Sequence, residues 1–106
     1  MSSSTRIIFD PKRVADVQTY TFDFTSKLAA SETISTQVVT AAVWSGVDAA
    51  PSAIISGSAS VSGSIVSQKI TGGVLGVIYT LTCTITTSTS QTLTLVGQLA
   101  IIPVGI

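Results

Sequence analysis

The sequence predicts an all-β fold, a sandwich or barrel of short strands, and three observations predict it. Hydrophobic residues are 45% of the 106-residue chain and charged residues only 9%, and the uncharged polar remainder is mostly Ser and Thr. Thr favours strands and Ser favours turns, so this balance points to β structure. The last third alternates apolar residues with Thr in a period of two, the mark of a half-buried strand. No segment carries a convincing helical period; the best candidate, residues 11–16, is too short to be stable alone. The length suits one domain with one core.

Residues 1–16 are expected to form an extended N-terminal arm ahead of a sandwich domain over 17–106. The arm has a Ser run, a short apolar hook (Ile7-Ile8-Phe9) and a joint at Asp10-Pro11. Such a hook is either an edge strand on its own domain or a strand that docks on a neighbour. The first clear strand is Val17 to Phe24, with Tyr20, Phe22 and Phe24 on one face and Thr19, Thr21 and Asp23 on the other. A connection over 25–31 follows, with Leu28 as its core plug. The next strand, Thr33 to Trp44, is apolar on both parities. It is therefore either central, with both faces covered, or has a second face that meets another subunit. Trp44 reads as a core or inter-sheet residue in preference to an interface anchor.

Ser45-Gly46-Val47-Asp48 ends that strand, and Pro51 belongs in a loop or at an edge. Ala53-Ile54-Ile55 reads as a short strand, and the Gly/Ser-rich stretch after it as short strands and turns rather than a linker. Ser64 to Ile70 is another strand, closed by a turn at Thr71-Gly72-Gly73. Ile78 to Thr86 puts Tyr79, Leu81, Cys83 and Ile85 on one face and four Thr on the other. Gln91 to Ile101 puts Leu93, Leu95, Leu99 and Ile101 in phase. The four polar residues between these two strands make them a hairpin. Tyr79 leads its strand and is placed to bond upstream backbone, as in a tyrosine corner.

Composition excludes several function classes. Five basic and five acidic residues give zero net charge, with no basic stripe for nucleic acid or an anionic membrane surface. No stretch approaches a membrane span and no signal peptide is expected. The chain has no His, which removes the commonest general base and metal ligand and any Ser-His-Asp or Cys-His device. Cys83 is the one cysteine, so neither an internal disulfide nor a zinc cluster can form; its parity makes it a buried small hydrophobe. The five carboxylates (Asp10, Asp16, Asp23, Glu32 and Asp48) lack calcium-loop spacing. Gly72-Gly73-Val-Leu-Gly76 lacks the Lys-Ser/Thr of a phosphate loop. The expectation is a protein with no enzymatic activity, no cofactor and no metal. A charge-poor surface repels its own copies weakly, which favours association.

The string Asp10-Pro-Lys-Arg13, then Tyr20-Thr-Phe-Asp-Phe-Thr-Ser26 and Glu32-Thr-Ile-Ser35, resembles the front half of small tailed-phage proteins that act as fibre–tail adaptors. Thr71-Gly-Gly73, Gly76, Tyr79-Thr-Leu81, Thr86-Thr-Ser88 and Gln91-Thr-Leu93 resemble the back half, and the match spans most of residues 10–100. The resemblance implies an Ig-like antiparallel β-sandwich and a virion structural protein that joins fibres to the tail or neck. It also implies many copies per particle. A Gly is expected in the hairpin turn before Gln91, where this chain has Ser90. Expected partners are the chain itself, as a homo-oligomer, and other phage tail, neck or fibre proteins. The expected setting is the virion, with assembly in the host cytoplasm. Arg6, Ile7, Ile8 and Phe9 in the arm and Ile102, Val104 and Ile106 in the tail are the candidate interface residues, docking by strand addition or side-chain insertion. Deleting residues 1–9 should then reduce incorporation without unfolding the sandwich. The alternatives are a capsid decoration protein and a carbohydrate- or surface-binding module of the same fold.

Overall fold

The longer strands turn one apolar face inward, so two sheets can bury those faces against each other. The computed structural model describes residues 7–103. The strands are β1 (Ile7–Ile8), β2 (Lys12–Arg13), β3 (Val17–Asp23), β4 (Ile34–Ser45), β5 (Ile55–Ser62), β6 (Ile65–Thr71), β7 (Ile78–Thr87) and β8 (Thr92–Ile102). The larger sheet runs β1-β8-β7-β4, with β2 also on β8; the smaller runs β3-β6-β5. Together they make a β-sandwich.

The alternation reads through to burial. Tyr20, Phe22, Val66 and Ile70 come inward from the smaller sheet, and Val39, Tyr79, Leu81, Cys83, Ile85, Leu99 and Ile101 from the larger. Phe24 follows β3 into the same core, and Leu28 packs against it as expected. Each such aliphatic or aromatic side chain contributes roughly 1.5–3 kcal/mol by leaving water. The β7–β8 hairpin pairs in register from Ile78↔Ala100 to Thr86↔Thr92.

Four expectations need correction. The strand from Ile34 is not central: β4 is an edge of the larger sheet, hydrogen-bonded only to β7 among the described residues. Its two apolar parities arise because Val38, Ala42 and Trp44 point outward. Trp44, expected in the core, is 56% exposed, because Val39, Ala41 and Val43 hold the inward parity and Trp44 falls on the other. The stretch Ala53-Ile54-Ile55 is not a strand. Pro51–Ile54 forms a 3-10 helix, with Pro at its first turn where a missing N–H costs nothing. Finally, the sandwich is not purely antiparallel, because β1 and β2 both pair β8 in parallel.

The described part of the N-terminal segment therefore lies along its own domain. Phe9 extends the pairing by donating its N–H to Gln98 O, 3.0 Å. Its ring meets Tyr20 and Phe22 edge-on, at centroid distances of 5.2 and 5.4 Å. It occupies the space left by Gly97, where an added Cβ would stand 2.3 Å from Phe9 Cε2. Deleting residues 1–9 would thus remove part of the core as well as the arm.

Lys12 pins the next step. Its side chain is fully buried, and Nζ donates to Arg13 O (2.7 Å), Gly72 O (2.8 Å) and Val14 O (3.3 Å). Burial pulls the ammonium below its ordinary pKa, and the Asp16 carboxylate works against that shift.

Gln68 is the other buried polar anchor. It sits between Val66 and Ile70 on the inward parity, and its amide donates to the carbonyls of Ser56, Gly57 and Lys69 at 3.1, 3.2 and 2.9 Å. Residues 57–59 bulge opposite it, between the pairs Ser56↔Lys69 and Ser60↔Ser67.

Candidate interaction surface

Strand directions put two unlike sets of loops at the two ends of the sandwich. β4 and β6 run out at one end and β7 starts there, so residues 45–50 and 72–77 share it with the turn after β2. This end carries the exposed apolar side chains Val14, Trp44, Val47, Val74 and Leu75, with Val47 85% exposed. The other end, built from 24–33, 63–64 and 88–91, is polar.

One buried phenol sets the apolar end. Tyr79 leads β7 with its ring in the core, and its hydroxyl reaches both loops. It donates to Asp48 Oδ2 at 2.6 Å and accepts the Val74 N–H at 2.8 Å. The bond from backbone five residues upstream matches the expected corner; the carboxylate contact was not foreseen. Burial, then the bond to Asp48, pushes the phenol up to about 12. The same bond, with the Ala50 N–H on Oδ1 at 2.9 Å, holds the Asp48 carboxyl below its ordinary value.

The 72–77 loop is fixed further by Lys12 on Gly72 O and by the Gly76 N–H on Ile101 O, 3.0 Å. Gly73 holds φ 103°, a conformation that favours Gly, and an added Cβ would stand 2.9 Å from the end of the Ile101 side chain. Between the loops is a cleft of about 290 Å³ lined by Asp48, Ala50, Ala53, Ile54, Thr71, Gly72, Gly73 and Val74. It is large enough for one apolar side chain.

The polar end is stitched by hydrogen bonds. Glu32 accepts the Ala29 N–H at 2.9 Å and the Thr89 hydroxyl, linking the 24–33 loop to the β7–β8 turn. Bonds from Thr87 and Thr89 lower its pKa, the former foremost. Thr33 and Ser88 exchange two more bonds across the same seam. Ser90 holds φ 64°, the left-handed conformation for which a Gly was expected.

The candidate interface residues scatter. Ile8 is 72% exposed beside β8, whereas Phe9 packs into its own core. Ile7 pairs Gly97 through its backbone, and Ile102 is half-buried at the apolar end. Arg6, Val104 and Ile106 lie outside the described residues. Reading from the sequence missed Val47, Val74 and Leu75, whose signal was available: large apolar side chains inside Gly-punctuated loops. Among the described residues no cluster of His, Cys, Asp and Glu is arranged to hold a metal. The carboxylates of Asp16, Asp23, Glu32 and Asp48 are each engaged by their own chain's donors.

A β-sandwich with rigid loops and an apolar end is a scaffold for protein–protein contact. The family profile described as podophage GP4 fiber-tail adaptor protein gp77 matches residues 12–99, and the chain belongs to that family. Membership identifies a structural protein of the phage tail and implies binding to other tail or fibre proteins. It agrees with the non-enzymatic reading. No curated protein and no solved structure gave a match.

Proposed function

We infer that the chain joins fibres to the tail or neck of a tailed phage by docking its apolar loop end on a neighbouring virion protein. The observation that carries this reading is the exposure of Trp44 at the end of β4 and of Val47, Val74 and Leu75 on the loops that Tyr79 ties together. Loops fixed before contact lose little entropy on binding, and a few apolar anchors supply most of an interface's energy. The cleft beside Val74 receives one apolar side chain of the partner. Ile102 lies at the same end, and the flanking Val104 and Ile106 extend the contact. Ile7 and Ile8, beside β8, form a second contact, to which the preceding Arg6 contributes. The partners are tail, neck or fibre proteins and further copies of the chain, with neither nucleic acid nor membrane required. Assembly takes place in the host cytoplasm before incorporation into the virion.

The sugar-binding alternative is less well supported. Of six aromatics, only Trp44 stands exposed, while such sites call for several.

The test is capture of the co-expressed tail, neck and fibre proteins of the same phage. Wild type is expected to hold at least one of them. The double variant Val47→Asp with Leu75→Asp is expected to lose it with an unchanged melting temperature, since both side chains are exposed. Failure of wild type to capture any of them, or capture by the double variant at wild-type level, overturns the reading.

A further inference from the structure

The outward face of the larger sheet has a composition that the loop end does not explain. Its three long strands, of 12, 10 and 11 residues, contain no charged residue. At the ~25% charge of ordinary domains they would carry about eight. Every charge among the described residues lies on loops, on the smaller sheet or on the short segment β2 at the border.

The registers define the face row by row. Val38, Thr84 and Thr94 form one row; Thr40, Thr82 and Val96 the next; Ala42, Thr80 and the already buried Gln98 the third, with Ile8 beyond Gln98. Val38 and Ile8, both largely exposed, stand at opposite edges of a plane of Thr methyls and small apolar groups.

We propose that this face packs against the same face of a second copy, sheet on sheet. Two features single out a second copy as the occupant. In a two-fold contact the residues at the axis meet their own copies, so a charge in the middle of the face would meet its own kind; this is the face from which charge is absent. The area is also of the right size. Strands ~4.8 Å apart and ~3.4 Å per residue make a face on the order of 20 by 30 Å, about 600 Å² in projection. Side-chain relief raises that towards the ~800 Å² per partner of a stable interface. Neutral, β-branched faces pack at ~10 Å as the two layers of one sandwich do. The contact leaves Val47, Val74 and Leu75 of the loop end free for the neighbouring virion protein, while Trp44, on the parity of Val38 and Ala42, stands at the border of the two surfaces. It relies on the adaptor reading for its setting but not for its physics.

The experiment is sedimentation of the full chain over a wide concentration range. Wild type should show a concentration-dependent dimer. Thr82→Lys, in the middle of β7, should weaken self-association by about tenfold or more, because it buries an unpaired charge against its copy. Val38→Lys, at an exposed site that accepts Lys without refolding, should do the same and covers the case in which the first variant is unstable. Lys69→Glu, on the smaller sheet, should change nothing. A wild type that is monomeric throughout, or Lys variants that associate as tightly as wild type, overturns the proposal. Capture of tail proteins by the monomeric Lys variants separates this face from the loop end. If capture persists, the two surfaces act independently, whereas failure of the Val47→Asp, Leu75→Asp variant bears only on the docking reading.

Discussion

Replacing Gly97 with Ala should unseat the N-terminal segment. A Cβ at residue 97 would stand 2.3 Å from Phe9 Cε2, 2.9 Å from Cζ and 3.0 Å from Cδ2. The ring cannot step aside, because Tyr20 and Phe22 hold it edge-on from the other directions. It must therefore leave its site. Full truncation of a buried Phe costs about 3–5 kcal/mol, and Phe9 is only partly buried, so its loss costs about 2–3 kcal/mol. Removing a Gly from a strand interior returns roughly 0.5–1 kcal/mol. The net destabilisation is about 2 kcal/mol, or roughly 10 °C in Tm for a domain of this size. Urea and thermal unfolding of Gly97→Ala, Phe9→Ala and the double variant measure it. With the ring absent, the added methyl meets open space, so the two changes should be far from additive. If Gly97→Ala leaves stability untouched, or if the single effects add, Phe9 does not occupy the space beside Gly97.

Three further outcomes follow from the same geometry. Ser90→Gly relieves a left-handed φ of 64° in the β7–β8 turn and should stabilise the domain by up to about 1 kcal/mol in urea unfolding; a loss of stability would refute the strain argument. Tyr79→Phe removes the hydroxyl between Asp48 and the Val74 N–H, costing about 1–3 kcal/mol. Amide exchange at Val74 should accelerate more than exchange in β7, and equal Val74 exchange in wild type and Tyr79→Phe would count against the tie. In alkaline titration, burial pushes the Cys83 thiol up to about 12, as it does the Tyr79 phenol. Both folded values exceed the unfolded ones, so the native state holds protons that the unfolded chain releases. Their stabilisation is complete below about pH 9 and is lost as pH rises from there through 12. Native protein should also leave Cys83 unreactive to thiol reagents at pH 8 until it unfolds, and rapid labelling of folded protein would contradict its burial.

Alternation along β3, β7 and β8 is a local property, and it alone determined the sandwich class, most of the core and the hairpin, since an apolar residue at every second position leaves a strand one face to bury. The lack of His and of clustered Cys likewise removes His-based and zinc-cluster chemistry at the level of the sequence alone. Which parity faces outward on an edge strand is not local. Residues 34–45 are apolar on both sides, and only the placement of β4 beyond β7 sends Val38 and Trp44 to the surface. The gap at Gly97 in the Leu row of β8 was visible as a missing side chain, but its filling by Phe9, nearly ninety positions away, depends on parallel pairing of β1. The tie between Asp48, Val74 and Tyr79 is similar: three unremarkable residues become one anchor only when two loops meet at the end of β7. Strand periodicity is written in nearest neighbours, whereas surfaces and anchors arise from contacts between residues far apart in the chain, and those exist only once the sheets have closed.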